Sequence, residues 1–290
     1  MIFKLILRNL RIYFRDKASV FFSLLGVFVI IGLYILFLRD AVIGNLDQTF
    51  PEVAFVMDSW IMSGVVAAAS ITTTMGAFGT MVDDTTKKNI KDFQVSPIKR
   101  WQIVLGYVMS SVVIGVIMSL LTLVLAEIYI VAQGGYLLSV LALLKTIGLI
   151  VLSVVTSSAM IFFFVSFFKS QNAFATASTL IGTLIGFFMG VYFPIGQLPD
   201  GVGYAIKIFP LSHSGVLLRQ VMMDEAMEKA FTGVDPSVFN VDSFNERMGI
   251  VFKYGNVTFP IWAHLVVLIV TAAIFFLFTV LRMSSHKAKE

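Results

Sequence analysis

Lys87, Lys88, Lys91, Lys99 and Arg100 crowd one short stretch, TTKKNIKDFQVSPIKRWQIVLG, in a chain of 290 residues of which only 13% are charged. Lysine and arginine stay protonated near neutral pH, so their chemistry here is attachment and not proton transfer. Ile90 and Phe93 stand three apart among them. That pattern suits a groove with an apolar floor and a charged rim on a cytosolic protein, or a basic loop lying on anionic lipid. The other reactive side chains are scattered. His213, His264 and His286 have no metal-ligand spacing. Glu127 is the one ionisable residue read at a plausible membrane depth, near the outer end of its span with Tyr129 and Gln133 beyond it, which favours an interfacial carboxylate over a proton or cation site. The chain has no cysteine, hence no disulfide, thiolate ligand or Cys nucleophile. No GxxxxGK[ST] phosphate loop occurs. No catalytic residue, cofactor-binding residue or metal ligand is expected in this chain.

The elements that position these residues are apolar. Hydrophobic residues make up 58% of the chain, with 28 Phe and a mean hydropathy of +0.92; a water-soluble domain carries about twice this share of charge. Runs long enough to cross a hydrocarbon core, which takes about 20 helical residues, are Ala18–Leu38, Ser59–Val82, Ile103–Ala126, Thr146–Phe168, Gln171–Phe193 and Ile261–Leu281. Without two-residue alternation they predict helices. The expected fold is an all-α integral membrane protein with six spans. The first run has no small-residue cleavage site after it and reads as a retained span.

An even number of spans puts both ends on one side. With the ends cytoplasmic, Lys4, Arg8, Arg11, Arg15, Lys17, the basic stretch, Lys169, Arg282, Lys287 and Lys289 all lie inside, while the short outer loops hold only Arg39 and Lys145. That is the positive-inside distribution. The net charge of +4 therefore reports contact with anionic inner-leaflet lipid and not with nucleic acid.

Residues 1–17 place Lys4, Arg8, Arg11 and Arg15 on one helical face with apolar residues around them, an interfacial helix. Ser96-Pro97 reads as the start of the third span, with Trp101 at headgroup level. Upstream, Thr85 or Thr86 is expected to cap a short helix over 86–95. Span two carries Ser59, Ser63, Ser70, Thr72, Thr73, Thr74 and Thr80, hydroxyls for helix packing or for lining a pathway. Span five sets Ser178, Gly182, Gly186 and Gly190 four apart, a ridge for close approach of a helix of this chain or of another subunit. Residues 194–260 divide into short apolar pieces, Val202–Phe209 and Gly215–Met223, expected as a re-entrant or interfacial hairpin, and an acidic half expected as a small extracellular cap.

Taken in order, the amphipathic N-terminal helix, the inner loop KKNIKDFQVSPIKRWQIVLG and the segment GVYFPIGQLPDGVGYAIKIFPLSHSGVLLRQVM resemble the permeases of type 2 ATP-binding cassette (ABC) exporters. Val95, Ser96, Pro97, Arg100, Ile103, Leu105 and Gly106 match the family's inner-loop pattern. Lys88 stands where the family commonly has Gly, and Thr86 where it has an acidic residue. Phe193-Pro194, Leu198-Pro199, Pro210-Leu211 and Leu218-Arg219 match the second motif. The resemblance implies a coupling helix over 86–95, with Lys87, Ile90, Lys91, Phe93 and Pro97 meeting a separate nucleotide-binding subunit. It implies two such ATPases holding ATP and Mg, and a second permease chain, identical or paralogous. Ser63, Thr73, Phe78, Gly182, Gly186, Phe187, Met189 and Gly190 become candidates for the translocation pathway or dimer interface. The cargo expected is hydrophobic or amphipathic, a drug, peptide or lipid, exported across a bacterial plasma membrane. A membrane anchor or sensor subunit and an ion-coupled secondary transporter are the rival readings.

Overall fold

The structure, a computed structural model, describes residues 2–39, 52–89, 98–235, 237, 239–255 and 257–285. The chain opens with α1, Ile2–Arg15, and α2, Lys17–Leu33. Asp16 separates them: its carboxylate accepts from the Ala18 and Ser19 N–H groups at 3.1 and 3.2 Å, an N-cap that starts the second helix. α2 runs into a π-helical turn, Tyr34–Leu38. α3, Val53–Ala77, and α4, Gly79–Thr86, continue one another across a step at Phe78. Gly76 and Gly79 flank that step, and small residues of this kind are where helices bend. Then come α5, Arg100–Ala132, α6, Val140–Val165, and α7, Gln171–Phe188. The last part holds α8, Asp200–Ile208, α9, Ser212–Met222, α10, Asp224–Phe231, α11, Val241–Arg247, a two-residue antiparallel ribbon (β1, Lys253–Tyr254; β2, Val257–Thr258) and α12, Ile261–Ser285.

Five helical stretches are long and apolar enough to cross a bilayer: Lys17–Phe37, Val53–Thr86, Trp101–Ala132, Val140–Val165 and Ile261–Thr279. The all-α expectation stands, and each of these overlaps most of an expected span. The remaining one, Gln171–Phe193, folds differently. Its helix α7 has 18 residues, about 27 Å at 1.5 Å per residue, and Gln171 and Asn172 fill its first turn. It stops at Phe188 because Gly190 turns left-handed (φ 59°), letting the Gly190 and Val191 N–H groups close on the Phe187 and Gly186 carbonyls at 2.9 and 2.8 Å. That pairing is a Schellman cap.

α5 begins at Arg100, where the Gln102 side chain accepts from the Lys99 N–H at 3.0 Å; Ser96-Pro97, the expected start, lie outside the described residues. Thr85 and Thr86 end α4, their hydroxyls donating back to the Met81 and Val82 carbonyls at 2.7 and 2.8 Å, and most of the helix they are expected to cap, 86–95, lies outside the described residues.

α3 is the axis of the molecule. Nearly every side chain from Val53 to Ala77 is buried, against α5, α6, α9, α2 and α7. Small residues let the neighbours approach. Where α5 crosses α3 and α6, a methyl on Gly115 would sit 2.7 Å from Thr74 Oγ1 and 2.8 Å from Val154 Cγ1. The two short apolar pieces expected after span five are α8 and α9, and α9 is almost wholly buried among α3, α6 and α12. The acidic half beyond it packs onto the main core through Phe231, Phe239 and Phe244, whose ring centroids are 4.6 to 5.7 Å apart.

Candidate coupling site

The basic stretch begins where α4 ends, and the last turns of α4 are tied to two other helices through one carboxylate. Arg8 of α1 grips Asp84 with both arms, Nη1 to Oδ2 at 2.6 Å and Nη2 to Oδ1 at 2.8 Å. The Tyr107 hydroxyl of α5 donates to Oδ2 at 2.7 Å, and Asn89 Nδ2 to Oδ1 at 3.0 Å. Asp84 is only 3% exposed, so these donors replace the water it has lost. The bond to Asp84 is the main cause that raises the Arg8 pKa above its ordinary value. Asn9, the next residue of α1, is buried and donates to Ser110 Oγ of α5 at 3.1 Å. Leu5, Ile103 and Tyr107 pack beside it, and a methyl at Gly106 would collide with the Leu5 side chain. α1 is thus seated in a notch of α5 and latched to the end of α4.

The rod formed by α3 and α4 has 34 residues, about 50 Å against a hydrocarbon core of about 30 Å. Its ends must stand outside the apolar layer, and the latch grips one of them. Beyond the latch, Lys87 Nζ pairs with Asp83 at 2.7 Å, both exposed, a contact of small energetic weight. Lys88 has φ 63°, a left-handed conformation that side chains with a Cβ resist. This is the position at which the inner-loop pattern has Gly, the residue that takes such a conformation without strain. Ile90, Lys91, Phe93 and Pro97 lie outside the described residues.

A protein-family model described as ABC-2 family transporter protein matches residues 52–281. The chain belongs to the ABC-2 transporter family. No curated protein matches it. It is therefore an ABC-type permease and a multi-pass membrane protein, in a family whose members work in general with an ATPase subunit.

The permease separates the remaining candidate residues into enclosed and open. Ser63 and Thr73 are fully buried in α3, their hydroxyls donating to the Trp60 and Ala69 carbonyls at 2.8 and 2.6 Å. Phe78 is buried against Phe162, with centroids 5.7 Å apart, and Met189 is buried at the end of α7. Gly190 is the cap already described, and Gly186 lies under the Tyr192 ring. Gly182, one turn before Gly186 on the same face of α7, and Phe187 are open instead. A methyl on Gly182 would meet nothing within 4 Å, and Phe187 is exposed. Thr176, Thr179 and Thr183 share this open helix, each hydroxyl turned back to the carbonyl four residues earlier at 3.0 Å.

Glu127 is not the only buried ionisable group. It is 8% exposed and takes the Leu138 N–H at 3.0 Å, but Asp58 and Arg219 are buried more deeply. Asp58 lies in the second turn of α3 because that helix starts six residues before the apolar run does. It accepts from Tyr34 and Tyr129 at 3.0 and 3.2 Å and pairs with Arg39 at 3.2 Å, binding α2, α3 and α5 together. The π-helical turn begins at Tyr34 itself. Arg219 of α9 faces Trp60, 5.1 Å from its ring centroid, and donates to the Gly190 carbonyl at 3.0 Å and to that of Met189, completing the negative end of α7. His213 and His264, scattered in sequence, also meet: their Nδ1 atoms are 2.6 Å apart inside the protein. Burial holds His213 below the ordinary imidazole pKa. Among the described residues no cluster of three metal-ligating side chains occurs.

Proposed function

We propose that this permease is one of two membrane subunits of an exporter, moving a hydrophobic or amphipathic cargo out of the cytoplasm with ATP hydrolysed by two separate nucleotide-binding subunits. Those partners hold the ATP and Mg, and this chain contributes no catalytic group. Both ends are cytoplasmic, α7 completes the set of six membrane-inserted helices, and residues 194–260 form the outer cap; a bacterial plasma membrane is the setting. Residues 86–95 are the handle that the ATPase grips, through Ile90 and Phe93 with Lys87 and Lys91 at the rim. The open side of α7 faces the second permease chain and the pathway.

The reading is carried by the clamp of Arg8, Asp84 and Tyr107. A loop that only reversed the chain would need no such anchorage. Here the residues just before the handle are bound bidentately to α1 and hydrogen-bonded to α5, so a push on the handle moves α1, α4 and α5 together. Positive-inside charge and the absence of a phosphate loop support the rest.

The test is reconstitution of the permease with its ATPase. Phe93→Asp puts a charge where an apolar anchor should dock, and is expected to weaken the ATPase about thirtyfold and to abolish cargo-stimulated hydrolysis and transport. Unchanged coupling in Phe93→Asp, or uphill efflux by the purified chain without nucleotide, sinks the proposal.

A further inference from the structure

α6, α9 and α12 do not close on one another at the end of the bundle that carries the cap. They leave a cavity of about 530 Å³ away from α7 and from the clamp. Its walls change character with depth. At the mouth are Lys145, Asp224 and Glu225 with the Gln220 side chain; deeper, Leu149 and Leu152 of α6 face Leu217 and Leu265. From Lys145 to Leu152 is seven residues along α6, about 10 Å. A molecule that fits must be charged at one end and apolar at the other.

The polar groups at the mouth are incompletely used. Gln220 donates from Nε2 to the Ile250 carbonyl at 2.9 Å, yet its buried Oε1 accepts from nothing. Glu225 takes the Ser139 N–H at 3.2 Å with one oxygen. Asp224 is exposed, and Lys145, on the opposite wall, is exposed too. Gly148, one turn below Lys145, removes side-chain bulk from the wall: a methyl there would meet nothing within 4 Å. Two carboxylates at the mouth call for a cation that donates hydrogen bonds. Lys145 across the mouth calls for an anion on the same molecule.

We propose that this cavity binds one phospholipid with a primary-amine headgroup, the phosphatidylethanolamine class. Its ammonium lies between Asp224 and Glu225, its phosphate against Lys145, and the upper part of an acyl chain between Leu149, Leu152 and Leu265. A quaternary ammonium has no N–H to give these carboxylates, and an anionic headgroup without an amine meets them unfavourably. The lipid then wedges α9 and α12 apart from α6, on the flank of the permease and outside the pathway side. Only the choice of leaflet, the outer one, rests on the orientation proposed above; the binding itself does not.

Native mass spectrometry of the delipidated full-length chain, offered phosphatidylethanolamine, phosphatidylcholine and phosphatidylglycerol with matched acyl chains, tests this without the ATPase. One phosphatidylethanolamine should be retained with about tenfold preference over phosphatidylcholine, the worth of hydrogen bonds to a charged donor. Gly148→Phe, whose Cβ meets nothing within 4 Å and whose ring occupies the cavity, should remove the adduct; Asp224→Asn should bring the preference close to one, while Lys145→Gln should weaken retention of both zwitterionic lipids without changing their ratio. Equal retention of the amine and choline lipids, a preference for phosphatidylglycerol, or an adduct that survives Gly148→Phe each overturns the assignment. The binding result stands apart from the Phe93→Asp result, so either reading can fail alone.

Discussion

Asp84 is a carboxylate 4% exposed in its side chain, bound to an Arg8 that is 33% exposed. Removing one partner of a buried ion pair costs about 3–5 kcal/mol, chiefly because the other charge is left without a partner. Partial exposure of Arg8 lowers this, so Arg8→Leu alone should cost about 2–3 kcal/mol, read as a drop in melting temperature of the detergent-solubilised permease. Asp84→Leu alone loses the acceptor of Tyr107 and Asn89 as well, and should be at least as damaging. Replacing both with leucine removes the orphaned charge, so the double variant should regain most of the stability. It should not regain function, since the bidentate link that carries motion between α1 and α4 is gone. A double variant that transports like the unmodified permease would reduce the clamp to a stability device. Stability and coupling thus separate at one pair of residues.

The helix α4 ends with a residue unsuited to its backbone. Lys87 closes the last turn and Lys88 takes the left-handed position, its N–H reaching the Thr85 carbonyl at 3.2 Å. A non-glycine residue pays about 1 kcal/mol there. Lys88→Gly should therefore raise stability by about 0.5–1 kcal/mol, seen as a higher melting temperature, and a lower one would show that the Lys88 side chain makes a compensating contact. This element also marks what the sequence made legible. The apolar runs located the long helices, since length and hydropathy act locally. Their ends were not legible, because Gly190 and Gln102 set them through caps that hydropathy does not register. Buried polar residues were missed for a further reason: Asn9 and Asp58 are buried by partners on other helices, Ser110, Tyr129 and Arg39, whose proximity exists only in the folded chain. His213 and His264 are 51 positions apart and gave no local signal at all.

Across the whole molecule, the distribution of burial argues for a second chain. α3 is enclosed on all sides, whereas α7 touches mainly α3 and α4 and leaves Leu180, Leu184 and Phe187 exposed beside Gly182 and its threonines. α12 is equally open along Ile269, Phe276 and Leu277, so exposure alone does not choose the contacting face. Side-chain size does. α12 presents bulky residues suited to lipid, while the small Gly182, Thr179 and Thr183 permit two helices to approach closely. Because the permease has no native cysteine, single-cysteine variants report contact without background. Thr179→Cys or Gly182→Cys should yield a disulfide-linked dimer on mild oxidation in membranes, since two such residues bond only when their Cα atoms come within about 7 Å. Leu277→Cys on α12 should stay monomeric under the same conditions. Cross-linking at Leu277 and none along α7 would reverse the arrangement, turn α7 toward lipid, and remove Gly182 and Phe187 from the pathway.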